Sequence, residues 1–535
     1  MGYDVSDYRD IDSRYGTLAD IHELIDELHK RDMKIMLDLV VNHTSNQVQN
    51  FSCSYIYSVN DWQHPWFQES RTSKNNPKRS WYIWKPPCFD KDGNRTAPNN
   101  WGRILDMSQS AWNWDEITGE YYLSLFTPEQ PDLNWEIDDV RDEVHQILHY
   151  WLDLGVDGFR MDVINLISKV QSFADAEVID KVLDFQPGEK FFANGPRLHE
   201  FLSGMRKVLN EYNTITVGEM PFVVDEEEIL RVVNTKTGSL NMIFIFDLLA
   251  MDIAAGHWKW SIQPWDARDI KRIHNRLQKF MYEGDGWNSI FYENHDVPRS
   301  VSRYTDDSDE WRVYGAKLLA MKQVTLGGTL YIHQGQELGM RNMPLTWGIG
   351  EFKDIESLNY WEFMKRKYNG DPQMLQEARR MLHCRARDHS RLPVQWNTSP
   401  NGGFCPPNIK PWMRVNDDYR ECNADNQVND PESVYFCWKK GLELRSKHAN
   451  VFIYGSFDII DPEHTQIVAY SRKSDQDDER WICVLNFSGN TVEWQGMGEE
   501  NVKEWVMGNY STEVPVKELT GTITLRAWEG LIGKC

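Results

Sequence analysis

The sequence predicts a parallel α/β chain followed by a small antiparallel β-domain. Helical stripes alternate with short apolar runs between residues 34 and 333. A segment at 44–137 interrupts that alternation, and beyond residue 451 strand-like runs follow one another with no helical stripe between them.

The elements can be justified in order. From Thr17 to Arg31, Leu18, Ile21, Leu24, Ile25 and Leu28 fall on one helical face, and Thr17 with Asp20 forms a capping-box pattern. The run Lys34–Val41 that follows is apolar enough for a strand buried on both faces. Residues 44–137 are rich in Asn, Pro, Ser, Trp and Lys and lack periodicity. They read as an inserted, loop-rich subdomain, because so many aromatic side chains need somewhere to pack. From Asp138, a stripe of Val140, Val144, Ile147, Leu148, Trp151 and Leu152 predicts a helix ended by Gly155. Strands are predicted at Val156–Val163, Thr214–Val217, Met242–Leu248, Ser289–Tyr292 and Thr329–His333. Helices at Leu198–Glu211, Ala267–Tyr282 and Trp311–Val324 separate most of them. From Val451, strands are expected at Val451–Ile460, Gln466–Ser471, Trp481–Phe487 and Thr522–Ala527.

Six helix-separated strands fall short of the eight that close a (β/α)8 barrel, and the chain opens in a loop leading to a helix. The expectation is therefore a (β/α)8-type barrel lacking its first two strands, with an inserted loop-rich subdomain and a C-terminal antiparallel β-domain. The expected boundaries are 1–43 for the start of the barrel, 44–137 for the insertion, 138–450 for the rest of the barrel and 451–535 for the β-domain.

Composition narrows the function. The formal charge of −23 argues against nucleic acid and anionic membrane as partners, since both need basic patches. No apolar run reaches the roughly 18–20 residues that span a bilayer; the most apolar stretch, Met242–Ala255, is short and broken by Asp247 and Asp252. Met1-Gly2-Tyr3-Asp4 opens no signal-peptide pattern, and eight scattered cysteines form no CxxC pair. A cytoplasmic location is expected, where the sequons at Asn94 and Asn486 carry no weight. The 23 tryptophans suit sugar faces but suit a large core equally well.

The chemistry gathers at strand ends. Asn42-His43 closes the first strand, Arg160-Met161-Asp162 the second, Glu219 the third, and Glu293-Asn294-His295-Asp296 a fourth. In a parallel barrel these ends share one face. A lone acid at a strand end is more often a helix cap, but four candidates at the same topological place weaken that reading. Arg160 and Asp162, two apart, point to the same side. Arg160 is expected to lower the pKa of Asp162 and leave it ionised, as a nucleophile requires. Glu219 has no arginine adjacent in sequence. Crowding by Asp162 and Asp296 is expected to keep it protonated, as a general acid requires. Two carboxyls pushed apart in this way are the pattern of glycoside hydrolysis.

These stretches, Asp38-Leu39-Val40-Val41-Asn42-His43, Gly158-Phe159-Arg160-Met161-Asp162, Val217-Gly218-Glu219-Met220 and Glu293-Asn294-His295-Asp296, resemble the four signature regions of the α-amylase superfamily, glycoside hydrolase family 13. Gln130-Pro131-Asp132-Leu133-Asn134-Trp135 is similar to an extra region of its oligo-1,6-glucosidase branch. The resemblance implies a retaining α-glucosidase acting on small oligosaccharides, with Asp162 as nucleophile, Glu219 as acid/base and Asp296 as transition-state carboxylate. His43, Arg160 and His295 would line the sugar subsite, Tyr3 would stack on the terminal glucose, Arg391 would hold its far side, and Phe126 would form a wall. Val163, following the nucleophile, favours α-1,6 over α-1,4 linkages, since this branch often carries threonine there in maltases. The family usually begins two strands and a helix earlier, ahead of a segment reading Asp-Met-Gly-Tyr-Asp. This start falls inside that segment, so no metal is expected, and an aspartate that partners the arginine is absent. Met107 stands where an aromatic is common. No cofactor is implied. A glucosyl transferase using the same residues and an inactive truncated product remain open alternatives on sequence alone. A non-enzymatic scaffold would need a membrane helix. Oligomeric state is not legible.

Overall fold

The computed structural model describes residues 2–46, 64–179, 181, 183–254, 259–495, 502–511 and 521–535. The chain divides into two compact units, Met1–Ile245 and Phe246–Cys535.

In the first unit, four parallel strands form one sheet in the order Met36–Leu39, Gly158–Met161, Ile215–Glu219, Met242–Phe244. Parallel neighbours need crossover connections, and helices Asp138–Asp153, Leu198–Leu209 and Glu226–Val233 precede the last three strands. The Asp138–Asp153 stripe buries all six apolar residues named from the sequence. Gly155 follows at φ 101°, a left-handed position suited to glycine. Close approach explains a second glycine: a Cβ on Gly158 would lie 1.8 Å from the Ile215 carbonyl oxygen. Register sets Asp38 beside Arg160 and Arg160 beside Val217.

The first helix, Leu18–His29, starts at the predicted Thr17/Asp20 capping box. Its predicted apolar face is only partly used. Ile25 is buried, whereas Leu24 is 45% exposed. The reason is position: this helix leads into the edge strand of the sheet, whose Met36 and Leu37 are themselves half-buried.

The described part of the insertion holds helix Pro65–Thr72, a short 3-10 helix at Pro77–Trp81 and short antiparallel strands, with residues 47–63 outside the described range. Trp84–Lys85, Glu120–Leu123 and Trp112–Asp115 make a three-stranded sheet. Its aromatics do find a core. Trp101, Trp112, Tyr121 and Leu123 pack with Val163, Leu166, Phe173 and Phe192, which follow the second parallel strand.

In the second unit, Ser289–Ile290 and Thr329–Leu330 form a parallel pair. All six sequence-predicted parallel strands are thus present, four in one unit and two in the other. A five-stranded antiparallel sheet, in the order Ser456–Ile460, Ile467–Lys473, Arg480–Asn486, Gly530–Lys534, Glu504–Gly508, closes the chain, beside the pair Val492–Trp494 and Ile523–Leu525. Helix Arg312–Val324 is buried on every side from Gly315 onward and shares one core with the sheet, Leu318 and Met321 packing with Trp481, Leu485 and Ile532.

Most predicted strands are shorter than expected, and two of them give way to helices. The Met242 strand stops at Phe244, and Asp247–Ala250 is helical, with an acid in the first turn where the helix dipole favours one. At the other site, Ala449–Phe452 is helical and the strand begins only at Ser456. Gly455 intervenes, where a Cβ would meet the carbonyl oxygens of Lys473 and Val451.

Two buried arginines tie helix ends and turns together, Arg445 from a helix and Arg472 from the sheet. Arg445 donates to the carbonyls of Val324 (2.9 Å), Leu326 (2.6 Å), Phe452 (3.1 Å) and Gly328. Arg472 donates to Gln278 (2.8 Å) and to the carbonyls of Val451 and Gly455. Neither pairs with a carboxylate among the described residues. Each guanidinium instead satisfies carbonyls left open where the helix and its following turns end. Arg445→Met is expected to cost about 3 kcal/mol, because several buried acceptors lose their donor together. Arg445→Lys should recover only part of this, since an ammonium cannot copy the planar fork. Urea denaturation of the three proteins measures both effects.

Candidate active site

Arg160 is the centre of the first unit's polar cluster. It sits on a central strand with an acid on each neighbouring strand and another two residues onward. Its Nη1 donates to Asp38 Oδ1 (3.0 Å) and Asp162 Oδ1 (2.5 Å), and its Nη2 to Glu219 Oε2 (2.6 Å). One guanidinium therefore holds three carboxylates. Glu219 has no arginine beside it in sequence but does have one beside it in space. The contact crosses strands, so linear adjacency does not reveal it.

The expected pKa of Asp162 also reverses. Burial is the largest influence and raises it; Arg160 pulls it down and Asp38 pushes it up, and the net result is about 6. Asp162 is 6% exposed and Glu219 8%.

Tyr3 lies against the same cluster. Its hydroxyl donates to Asp38 Oδ2 (2.8 Å), and its ring centroid is 5.6 Å from the Arg160 guanidinium carbon. Burial holds the Tyr3 hydroxyl pKa far above its usual value. His43 is fully buried. Its Nε2 lies 2.8 Å from the Tyr3 carbonyl oxygen, and its Nδ1 lies 3.3 Å from the Asn42 amide nitrogen. Burial lowers its pKa, so it is a neutral donor that fixes the backbone of Tyr3. Phe126 is half-buried, 5.2 Å from the His43 ring, and packs on the insertion's core.

The Gln130–Trp135 run is the brace behind these groups. Gln130 donates to the Tyr3 carbonyl (3.0 Å) and Trp135 to that of Val41 (2.8 Å). Asp132 accepts from the Leu125 amide (3.1 Å) and pairs with Lys169 (2.9 Å). Lys169 also donates to Asn42 (3.0 Å) and to the Leu166 carbonyl (2.6 Å). Sequence reading did not single out Lys169. Nothing in its local pattern separates it from a surface lysine.

Val163 lies just past the strand, not within it. Its backbone is left-handed, at φ 35° and ψ 44°, an outlier for a β-branched residue. That turn points its N–H toward Glu219 Oε2 (3.3 Å). Two further non-glycine residues nearby are left-handed, Asn194 (φ 51°) and Phe222 (φ 65°). They are bonded to one another. Asn165 donates to Asn194 Oδ1 (3.0 Å) and to the Pro221 carbonyl (2.5 Å), and Asn194 donates to the Phe222 carbonyl (3.3 Å). This knot ties the loop after Asp162 to the loop after Glu219 and leaves Phe222 47% exposed.

In the second unit, Asp296 Oδ1 accepts from Arg387 Nη1 (2.9 Å) and Arg391 Nη2 (2.7 Å), and His295 Nε2 lies 3.5 Å from its other oxygen. Burial alone would raise the Asp296 pKa. Arg387, His295, Arg391 and Lys259 together outweigh it and hold the carboxyl well below its usual range. Arg391 also donates to the His295 carbonyl (2.8 Å), and both arginines pair with Asp354. Asp388 fixes Asp354 by accepting from its backbone N–H (2.9 Å). Arg387 and Asp354 were missed from sequence, although Arg387 stands one helical turn before Arg391. Glu293 belongs to the scaffold: it is buried against Arg299 (3.0 Å) and accepts from the Ser300 amide and hydroxyl. Among the described residues, no three His, Cys, Asp or Glu side chains are grouped to hold a metal ion.

A parallel α/β unit that presents paired, buried carboxyls at its strand ends is the framework of a glycoside hydrolase. The chain belongs to the alpha-amylase family, matching its catalytic domain over residues 1–455. Family membership implies the (β/α)8 barrel as the frame for these strands, followed by the C-terminal β-domain. An α-glucosidase of Schizosaccharomyces pombe is 45% identical over 100% of this chain and 88% of its own length. An oligo-1,6-glucosidase of Parageobacillus thermoglucosidasius is 42% identical, with the same coverage. The crystal structure of Bacillus licheniformis trehalose-6-phosphate hydrolase superposes with a TM-score of 0.85 at 37% identity, covering 100% of this chain and 89% of that one.

The strained knot gives a direct test. Phe222→Ala and Phe222→Gly both remove the ring, but only alanine must hold a Cβ at φ 65°. The glycine variant is expected to be about 1 kcal/mol more stable than the alanine variant. Thermal melts of the pair would show it, and equal midpoints would refute the left-handed geometry.

Proposed function

We propose that this protein is a retaining α-glucosidase that releases terminal glucose from short oligosaccharides, favouring isomaltose-type α-1,6 bonds over maltose-type α-1,4 bonds. The observation that carries the reading is the pairing of Asp162 and Glu219 on one guanidinium. A close carboxyl pair suits the double-displacement route, whose carboxyls stand about 5–5.5 Å apart, better than the wider inverting arrangement.

In the first step, an Asp162 oxygen attacks the anomeric carbon while the bond to the leaving oxygen breaks. That oxygen takes the Glu219 proton. A glucosyl ester on Asp162 and an ionised Glu219 remain. In the second step, Glu219 takes a proton from water as the water oxygen displaces Asp162, which restores both groups and the α configuration. One negative charge sits on the pair throughout and moves from Asp162 to Glu219 and back. Arg160 neutralises it at either place, so the guanidinium need not move as charge is transferred. Asp296, held ionised by its arginines, is assigned to stabilise the positive charge that develops on the ring. Tyr3, Phe126, His295 and Arg391 are assigned to grip the glucose. His43 is assigned to this subsite through its hold on Tyr3, and Val163 to linkage choice. Among the described residues, Cys88, Cys384, Cys405, Cys422, Cys437 and Cys483 are free thiols, which supports a reducing, cytoplasmic setting.

Proton NMR of products from isomaltose and p-nitrophenyl α-glucoside tests the reaction. α-Glucose should appear first, and Asp162→Asn, Glu219→Gln and Asp296→Asn should each lower kcat by at least about 10²–10⁴-fold. Initial β-glucose would refute retention. Val163→Thr should move the isomaltose-to-maltose ratio of kcat/KM toward maltose by about tenfold.

The pH profile gives a separate check. The raised pKa of Asp162 means that a proton returns to the nucleophile as pH falls through about 6, so kcat/KM should decline below that point. Asp38→Asn removes a like charge and should shift that limb to lower pH. A folded-state pKa above the unfolded value also means that ionised Asp162 opposes folding above pH 6. Asp162→Asn should therefore melt no lower than the parent at pH 7, which separates loss of chemistry from loss of fold.

A further inference from the structure

A neutral histidine has one proton and two ring nitrogens, and its neighbours decide where the proton sits. Burial holds the His43 ring neutral, and the nearby Lys169 charge acts in the same direction. One side of the ring is settled by a backbone carbonyl. His43 Nε2 lies 2.8 Å from the Tyr3 carbonyl oxygen, which can only accept, so Nε2 carries the proton. A bare Nε2 would set its lone pair against that oxygen. Gln130 Nε2 stands 2.9 Å from the same ring nitrogen because both donate to the Tyr3 oxygen, which has two lone pairs.

The other side is settled by a short chain of side chains that ends on Lys169. His43 Nδ1 must accept, and Asn42 Nδ2 faces it at 3.3 Å. An amide can turn either end to a ring, so Asn42 alone does not fix the arrangement. Lys169 does. Its Nζ lies 3.0 Å from Asn42 Oδ1, and an ammonium only donates, so the amide oxygen faces Lys169. The two amide protons then have one acceptor each, His43 Nδ1 and Asp132 Oδ2 (3.3 Å). The ammonium protons are also fully used, on Asn42, on the Leu166 carbonyl (2.6 Å) and on Asp132 (2.9 Å). Asn42, Asp132 and Lys169 are all buried, so these bonds are closed to bulk water.

We propose that Lys169 is a positioning residue for the terminal-glucose subsite: by orienting the Asn42 amide it keeps the His43 proton on Nε2, where it holds the Tyr3 backbone. Only the kinetic consequence rests on the glucosidase reading above. A loosened Tyr3 grips the glucose less in ground state and transition state alike, so the loss falls on KM rather than kcat.

Long-range proton–nitrogen NMR of the full chain, with isotope-labelled histidine, reads the tautomer of each ring, and His43→Gln identifies the His43 signals. In the parent, Nε2 should be protonated and Nδ1 bare. In Asn42→Asp a carboxylate oxygen replaces the amide NH2 beside Nδ1, and Nδ1 should gain a proton. The double variant Asp132→Asn with Lys169→Met leaves no buried ion unpaired, but Asn42 loses the donor that fixes it, and both tautomers should appear. Its KM for p-nitrophenyl α-glucoside should rise about fivefold, with kcat changed by less than about twofold. A bare Nδ1 in Asn42→Asp would overturn the proposal. So would a double variant that keeps Nε2 alone protonated, whatever its KM or thermal midpoint, because Lys169 would then be a structural part only. The spectra need no turnover, so they separate a failure of this role from a failure of the glucosidase reading.

Discussion

The first unit's polar cluster depends on one guanidinium that must answer to three acids. Arg160 is placed by the parallel register, which sets Asp38 on one side and the Glu219 strand on the other. Burying a charge is costly unless its partners are close and geometrically matched. Here the cost is met by a fork whose two terminal nitrogens reach three carboxylates. The balance is not even. Burial wins at Asp162 and raises its pKa, whereas at Asp296 two arginines, a histidine and a lysine win over burial. Two acids of the same type thus acquire opposite proton affinities from their surroundings alone.

The rest of the first unit's local architecture can be understood as support for that centre. The insertion sends its aromatic core against the segment after Asp162, and its Gln130–Trp135 run holds Tyr3, Asn42 and Lys169 from behind. The three left-handed residues Val163, Asn194 and Phe222 are unfavourable as local conformers and persist because hydrogen bonds and packing over-determine them. Strain of this kind gathers where atoms must be placed for chemistry rather than for stability.

Much of this was legible in the sequence because it is local. The six parallel strands, the capping box at Thr17, the helix stripe from Val140 to Leu152 and the alignment of Arg160 with Asp162 all follow from short-range periodicity. What escaped was non-local or conformational. The Arg160–Glu219 contact crosses strands, the Asp132–Lys169 pair joins residues far apart in the chain, and the Val163 turn breaks a run that reads as unbroken strand. Strands Glu504–Gly508 and Gly530–Lys534 were missed for a related reason. Gly533 weakens the β signal, yet it is required because the Trp505 ring lies where a side chain would be.

The buried helix Arg312–Val324 has a consequence for how the C-terminal sheet should be regarded. A helix wrapped in apolar contacts from Gly315 onward, with its terminal carbonyls answered by Arg445, has no face of its own to show to water. The sheet supplies one wall of that enclosure, so it is not a detachable module hung on a finished enzyme. Stripping the sheet away would leave that helix facing water along one side, so helix and sheet form a single folding unit rather than two.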